Sequence, residues 1–259
     1  MSTSMRSGPG EAVFERDGQL LSARLAAIAE RVPSGHVTAD IGADHALLLI
    51  ALAKQGRISK GIAGELNTGP FQNAWNRVKR SRVDHLVEVR QGDGLAVLSK
   101  GEAETVVIAG MGGSLIASIL DKGESRLQGV KRLILQPNNS GDRVRTWLAN
   151  RGWELTDETL VEEGGILYEV LTAEPGNGDA PYEGSPFSKD RMVQLGPLLC
   201  KSRHPLLIKK VEEEIESRKR VLEQLEAGRT AEAERRKQEM KKELREWEKV
   251  MTWLSEEPI

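Results

Sequence analysis

The chain has 259 residues, with 37 Lys and Arg against 39 Asp and Glu, a formal net charge of −2. That length supports one large or two small domains with a substantial core, and the single cysteine, Cys200, excludes a disulfide framework or a cysteine-rich zinc site. Near-zero net charge argues against wholesale electrostatic capture of nucleic acid but leaves a local basic patch open.

Residues 1–18 are small, polar and glycine-bearing, and read as a mobile leader. Leu21, Leu25, Ile28 and Val32 recur at helical spacing until Pro33-Ser34-Gly35. From Val37 to Ala173, short β-branched runs (37–41, 61–64, 86–89, 105–109, 132–136) alternate with helical stretches (46–55, 69–80, 114–121, 142–151). Strand and helix taking turns predict an α/β fold with a parallel sheet covered on both faces. The last two runs, near 153–161 and 166–172, are joined by Glu162-Glu163-Gly164-Gly165, so the final strand is expected to pair antiparallel.

The segment 174–186 is dense in Gly and Pro and reads as a linker. Beyond it the composition changes: 25 of the 41 residues from Lys209 to Lys249 are charged, and Gly228 is the only glycine after Gly196. Ile208, Val211, Ile215, Leu222 and Leu225, with Arg218 in one seam slot, step by threes and fours. Met240, Leu244, Trp247, Met251 and Leu254 do so again. Two helices turning at 227–230 would form an antiparallel coiled-coil hairpin, with Thr230 able to cap the second. The charged run is either a solvated helix face or a nucleic-acid contact, since basic and acidic residues number 17 each from Gly176 onward. The expected domains are therefore 19–174 and 187–259.

The chemistry concentrates at the strand ends. Asp40, Gly42, Asp44 and His45 follow the first strand, where ligands bind in a doubly wound sheet. The second and third glycines of a dinucleotide fingerprint would fall on Asp44 and Leu47. A carboxylate there repels a pyrophosphate but suits a cationic ligand such as S-adenosylmethionine, although Asp40 and Asp44 could also serve only as turn and cap. Glu65 ends the second strand, 23 positions after Gly42, and could hold a ribose diol; Asp93 follows the third and could accept from an adenine amine. Because all carboxyl ends of a parallel sheet face one rim, three acidic tips in successive loops point to a nucleoside ligand. Gly110-Met111-Gly112-Gly113 after the fourth strand strips side chains from a loop that could line the crevice. Gln136-Pro137-Asn138-Asn139 reaches the same rim, where its amides could read a base or cap the next helix.

The strings Ala39–His45, Gly64–Pro70, Gly92–Leu95, Ile108–Gly113 and Leu133–Asn138 together resemble the bacterial tRNA (adenine-22-N1)-methyltransferase family. The resemblance covers roughly Leu20 to Thr172, and the later helices fit the family's architecture. It implies a Rossmann-like class I methyltransferase domain that binds S-adenosylmethionine, followed by an antiparallel helical coiled-coil domain that helps hold tRNA. Carried over by position, it assigns Asp40, Gly42, Asp44 and His45 to the first cofactor loop and Glu65, Leu66 and Asn67 to the ribose side. Asp93 and Gly94 fall on the adenine turn, and Gly110, Met111 and Gly112 beside the methyl. Asp44, then Asp40, are the candidate catalytic carboxylates, because N1-methylated adenine is cationic and a carboxylate would stabilise it. Two departures are visible: Ala43 stands where the family often has Ser, and Leu47-Leu48-Leu49 where it has Tyr-Leu-Pro.

The expected function is thus methylation of N1 of adenine 22 in tRNA, or of another RNA site or a small molecule by the same chemistry. A nicotinamide-dependent oxidoreductase is disfavoured by Asp44, and an inert scaffold by the intact acidic tips. No metal is expected, because His36, His45, His85 and His204 lack ligand spacing. The apolar run 46–53 is far short of the roughly 20 residues a bilayer requires, so no membrane partner is expected. A monomer in the cytoplasm is expected, as no charged-then-apolar leader opens the chain.

Overall fold

The computed structural model describes residues 21–226 and 230–256, so the expected leader and most of the turn at 227–230 lie outside the described residues. The chain divides into two compact units, one up to Gly184 and the other from Ser185.

The first unit is built on a seven-stranded sheet. Its elements run α1 (Ala23–Arg31), β1 (Val37–Ile41), α2 (Leu47–Lys54), β2 (Lys60–Glu65), α3 (Thr68–Arg80), β3 (Val87–Gln91), β4 (Thr105–Met111), α4 (Gly113–Lys122), β5 (Arg132–Pro137), α5 (Gly141–Asn150), β6 (Trp153–Glu163) and β7 (Ile166–Pro175). The strand order is β3-β2-β1-β4-β5-β7-β6. Strands β1 to β5 pair in parallel; β7 pairs antiparallel with both β5 and β6. The interior strands β1, β2 and β5 are buried along almost their whole length, as a sheet covered on both faces requires. Edge strand β3 is mostly open. Helix α1 is started by Ser22, whose hydroxyl accepts from the Leu25 N–H, and buries Ala26 to Ala29.

The expected elements are all present, with three local differences. The helix expected from Ala46 begins at Leu47, because Asp44, His45 and Ala46 form a separate tight turn with φ of 30°, 63° and 54°. The hairpin turn is only Gly164-Gly165, both left-handed, so β6 and β7 extend further than their apolar patterns suggest. The expected linker is partly packed: β7 continues to Pro175, and Tyr182 is buried in a short turn at Ala180–Tyr182.

The second unit comprises α6 (Lys189–Leu195), α7 (Pro197–Lys201), α8 (Leu207–Glu226) and α9 (Ala231–Ser255). Arg203 donates to the Glu256 carbonyl, while Arg218 lies 4.6 Å from the Trp247 ring centroid. Rising numbers in α8 meet falling numbers in α9, so the long helices are antiparallel. Thr230 caps α9 by accepting from the Ala233 N–H. The buried seam is Leu207, Val211 and Ile215 against Trp247 and Val250, and Ile208, expected in it, is exposed. The shift follows from helical geometry, since positions 207, 211 and 215 form one unbroken i, i+4 row. The short helices α6 and α7, which carry buried Met192, Leu195, Leu199 and Cys200, have no counterpart in the sequence pattern.

Candidate active site

The chain leaves β1 for β2 and β3 on one side and returns to β4 and β5 on the other. The carboxyl ends of β1 and β4 therefore diverge, and a crevice opens where the strand order reverses. A cavity of about 340 Å³ lies there. Asp40, Gly42 and Asp44 line it from the β1 side, and Gly110 and Met111 from β4.

The β1 loop is held by backbone geometry. Gly42 has φ of +73°, a conformation that favours glycine, and the end of the Met111 side chain occupies the space where a Cβ would lie. The Gly42 N–H donates to the Gly64 carbonyl (2.8 Å), and the Asp44 N–H donates to a Glu65 carboxylate oxygen (2.7 Å). The second strand end thereby braces the first. Three successive non-glycine residues in the left-handed region store strain, which marks functional loops. His45 Nε2 lies 3.6 Å from the Asp44 carboxylate, and the Asp44 side chain faces solvent.

Asp40 is buried, and its pKa is pushed up to about 7. Burial is the main cause, the charge of Glu65 adds to it, and the Arg24 guanidinium partly opposes them. Glu65 is also raised, chiefly by burial, against the relief provided by the Asp44 N–H. Burial, more than neighbouring charge, thus makes both carboxyl groups hold a proton more readily than usual.

The other expected residues spread along the same rim. Leu66 and Asn67 are exposed immediately after β2, with Leu66 presenting an apolar side chain to solvent. Asp93 and Gly94 line a neighbouring cavity of about 390 Å³, walled by Leu115 and Ile119 of α4, rather than the cavity that holds Asp40. Gly112 precedes α4 and faces the Asn139 side chain.

Sequence reasoning passed over two residues that the fold brings into the crevice. Arg24, on α1, and Tyr168, on β7, both line it, and the Arg24 guanidinium lies 5.5 Å from the Tyr168 ring centroid. The Arg24 N–H donates to Glu163 at the hairpin end (2.9 Å). Neither sits in a glycine loop or at a parallel strand end, so no local pattern marks them.

A family model described as tRNA (adenine(22)-N(1))-methyltransferase matches residues 38–249. The chain belongs to this family. A Bacillus subtilis relative named tRNA (adenine(22)-N(1))-methyltransferase is 44% identical over 221 residues, 85% of this chain and 91% of the relative. The crystal structure of the B. subtilis m1A22 tRNA methyltransferase is similar with a TM-score of 0.83 at 41% identity, covering 89% of this chain and 98% of that one. A Streptococcus pneumoniae structure in complex with S-adenosyl-L-methionine is similar with a TM-score of 0.77 at 34% identity, covering 89% and 99%. Family membership and strand order together establish a Rossmann-like methyltransferase fold for the first unit. Among the described residues, no group of three or more His, Cys, Asp or Glu side chains is arranged to hold a metal ion, and no helix is long and apolar enough to cross a membrane.

Proposed function

We propose that this chain transfers the methyl group of S-adenosylmethionine to N1 of adenine 22 in tRNA. The observation that carries the reading is the buried Asp40 carboxylate in the crevice between β1 and β4, in a member of the tRNA (adenine(22)-N(1))-methyltransferase family.

The residues present fit a cationic nucleoside cofactor. Asp40 is a buried carboxylate whose neighbours Glu65 and Asp44 leave negative charge to be matched, and the cofactor's ammonium and sulfonium would match it. Glu65 spends one oxygen on the Asp44 N–H, which leaves the other for a ribose diol. We assign Leu66 and Asn67 to the ribose-to-adenine turn, Asp93 and Gly94 to the adenine amine, and Gly42 and His45 to the loop around the methionine portion. Gly110, Met111 and Gly112 would flank the methyl.

Bound S-adenosylmethionine supplies an electrophilic methyl carried on a sulfonium. Adenine N1 already has a lone pair, so the chain contributes alignment and electrostatics rather than a strong base. The N1–methyl bond forms as the sulfur–methyl bond breaks, and positive charge moves onto the base. We assign to Asp44, on the solvent side of the crevice, the stabilising of that cation and the acceptance of a proton from its exocyclic amine. Asp40, more deeply buried, would hold the cofactor.

Reaching a base stacked inside tRNA costs a few kcal/mol of unstacking. We assign the helical unit 187–259 to holding the RNA and unit 19–174 to the chemistry, and read the enzyme as a cytoplasmic monomer. Arg77, Lys79, Arg80 and Arg82 around the end of α3 supply a basic surface on the first unit, with Lys79 Nζ 3.9 Å from the ring centroid of exposed Trp75. The test is incubation of the purified chain with S-adenosylmethionine and unmodified tRNA, followed by nucleoside mass analysis and mapping. One-methyladenosine at position 22 is expected, and its absence sinks the reading. A methyl mapped to another RNA position would replace the target while keeping the chemistry.

A further inference from the structure

Gly110 interrupts the pairing of β4 with β5. The register runs Ala109 to Gln136 and then Met111 to Pro137, so Gly110 is an extra residue in the ladder, with φ of +76°. A bulged residue loses its ladder partners. Here two side-chain amides replace them.

The Gly110 N–H donates to Gln136 Oε1 (3.0 Å), Gln136 Nε2 donates to Asn138 Oδ1 (3.1 Å), and Asn138 Nδ2 donates back to the Gly110 carbonyl (2.8 Å). The three bonds close a ring in which every donor faces an acceptor. Arg24 sets its direction. Its Nη1 donates to the same Gln136 Oε1 (2.7 Å), and a guanidinium can only donate, so the Gln136 carboxamide cannot turn over. Gln136 is completely buried, where an amide with the wrong end inward would leave polar groups unpaired at a cost of about 1–3 kcal/mol each. The Asn138 N–H in turn donates to the Met111 carbonyl (2.8 Å), which ties the residue after the bulge to the same unit.

The ring stands at the crevice: Gly110, Met111, Asn138 and Arg24 all line it. Nothing about helix capping or core packing requires this arrangement. Ordinary strand pairing would satisfy Gly110 without any of the three side chains.

We propose that Gln136 and Asn138 are positioning residues for methyl transfer: with Arg24 fixing the direction of the ring, they hold the Gly110 peptide and the adjoining Met111 in one orientation beside the reacting atoms. This rests on the methyltransferase reading above. Displacing groups beside the reacting atoms by about 1 Å can cost on the order of 100-fold in rate, so holding one peptide matters.

Two isosteric variants test it, Asn138→Asp and Gln136→Glu, each of which loses one donor of the ring at neutral pH. At pH 8 the single-turnover rate should fall roughly 10- to 100-fold, while affinity for S-adenosylmethionine by calorimetry does not weaken in parallel, since a carboxylate beside the crevice does not oppose a cationic ligand. A protonated carboxyl regains the missing donor. The variant-to-wild-type rate ratio should therefore climb as pH is lowered toward 5, measured against the wild-type profile at each pH because Asp40, Asp44, Arg24 and Tyr168 line the same crevice. Exchange of the Gly110 amide, followed by NMR, should accelerate in Gln136→Leu.

Wild-type rates in both acidic variants would overturn the proposal. So would a pH-independent ratio, or parallel loss of rate, cofactor affinity and folding, which would mark the ring as merely structural. A wild-type chain inert on tRNA would instead sink the parent reading. The two failures are distinguishable because the Gly110 exchange measurement requires no substrate; unaltered exchange in Gln136→Leu overturns the ring by itself.

Discussion

The Glu65 carboxylate at the end of β2 accepts the backbone N–H of Asp44 at 2.7 Å, across the gap between two strand ends. One side chain thus braces the loop after β1, which we propose holds the cofactor, while keeping a second oxygen for a ligand. A charge-assisted bond of this kind contributes about 1.5–3 kcal/mol. Glu65→Ala should weaken S-adenosylmethionine binding by roughly 10- to 100-fold, on the basis of one such bond. Glu65→Gln, which keeps an acceptor for the amide, should lose less. Calorimetric titration of the two variants checks the order.

Asp40 makes stability and ligand affinity respond to pH in opposite senses. Its folded pKa is about 7, against an ordinary 3.8. Between those values the folded chain keeps a proton that the unfolded chain has given up, so this group's contribution to stability is greatest at low pH and falls as pH rises through 7. A cationic ligand favours the ionised form, so affinity should strengthen over the same range, with proton release on binding. Asp40→Asn should remove the larger part of both trends, with Glu65, also raised by burial, supplying the rest. Urea unfolding at pH 5 and pH 8, with calorimetry in buffers of different ionisation enthalpy, measures them.

Gly42→Ala meets a positive φ, whereas the Met111 Cε that its Cβ would approach is the free end of a flexible side chain and can swing aside. The variant should lose cofactor affinity and lower the melting temperature. The backbone strain costs about 1–2 kcal/mol. Adding Met111→Ala should therefore recover little thermal stability, and full recovery in the double variant would show that the backbone carries no strain.

Away from the crevice, Arg145 of α5 is buried between Glu158 of β6 and Glu169 of β7, fastening the helix to the hairpin. Removing the cation alone takes away the charge that faces both carboxylates. Arg145→Met should cost about 3–5 kcal/mol in urea unfolding. The variant that also carries Glu158→Leu and Glu169→Gln should regain most of it.

The proposal that the basic surface at the end of α3 contacts RNA is open to a direct test. Charge reversal at Arg80 and Arg82 should weaken tRNA binding and flatten its dependence on log salt by about 0.7–0.9 for each phosphate that the chain no longer neutralises. Cofactor affinity should not move. An unchanged salt slope would place the RNA elsewhere on the molecule.

Much of the crevice was legible because it is built from local rules. An acid or a glycine after a buried strand marks a parallel strand's carboxyl end, and all such ends share a rim, so the residue pattern alone groups Asp40, Gly42, Glu65, Asp93 and Gly110. Asp93 shows the limit: it reaches the rim but opens on the neighbouring cavity, a distinction set by how the short turn Gly94–Val97 meets α4. Arg24 and Tyr168 escaped because their meeting depends on β7 inserting between β5 and β6, a choice that no hairpin pattern encodes. The left-handed turn at Asp44–Ala46 escaped because non-glycine residues adopt it only when surrounding contacts hold them there. In the second unit, apolar steps of three and four identified both long helices but could not choose between adjacent Leu207 and Ile208 for the seam.

The hydrogen bond from Arg24 to Glu163 joins residues 139 positions apart. Closing so long a loop costs conformational entropy before any interaction repays it. During synthesis the glycine loop after β1 leaves the ribosome well before the hairpin that completes its opposite wall. The α1 side of the crevice must wait for that hairpin, so a nascent chain can pair its first parallel strands while the crevice is still half built.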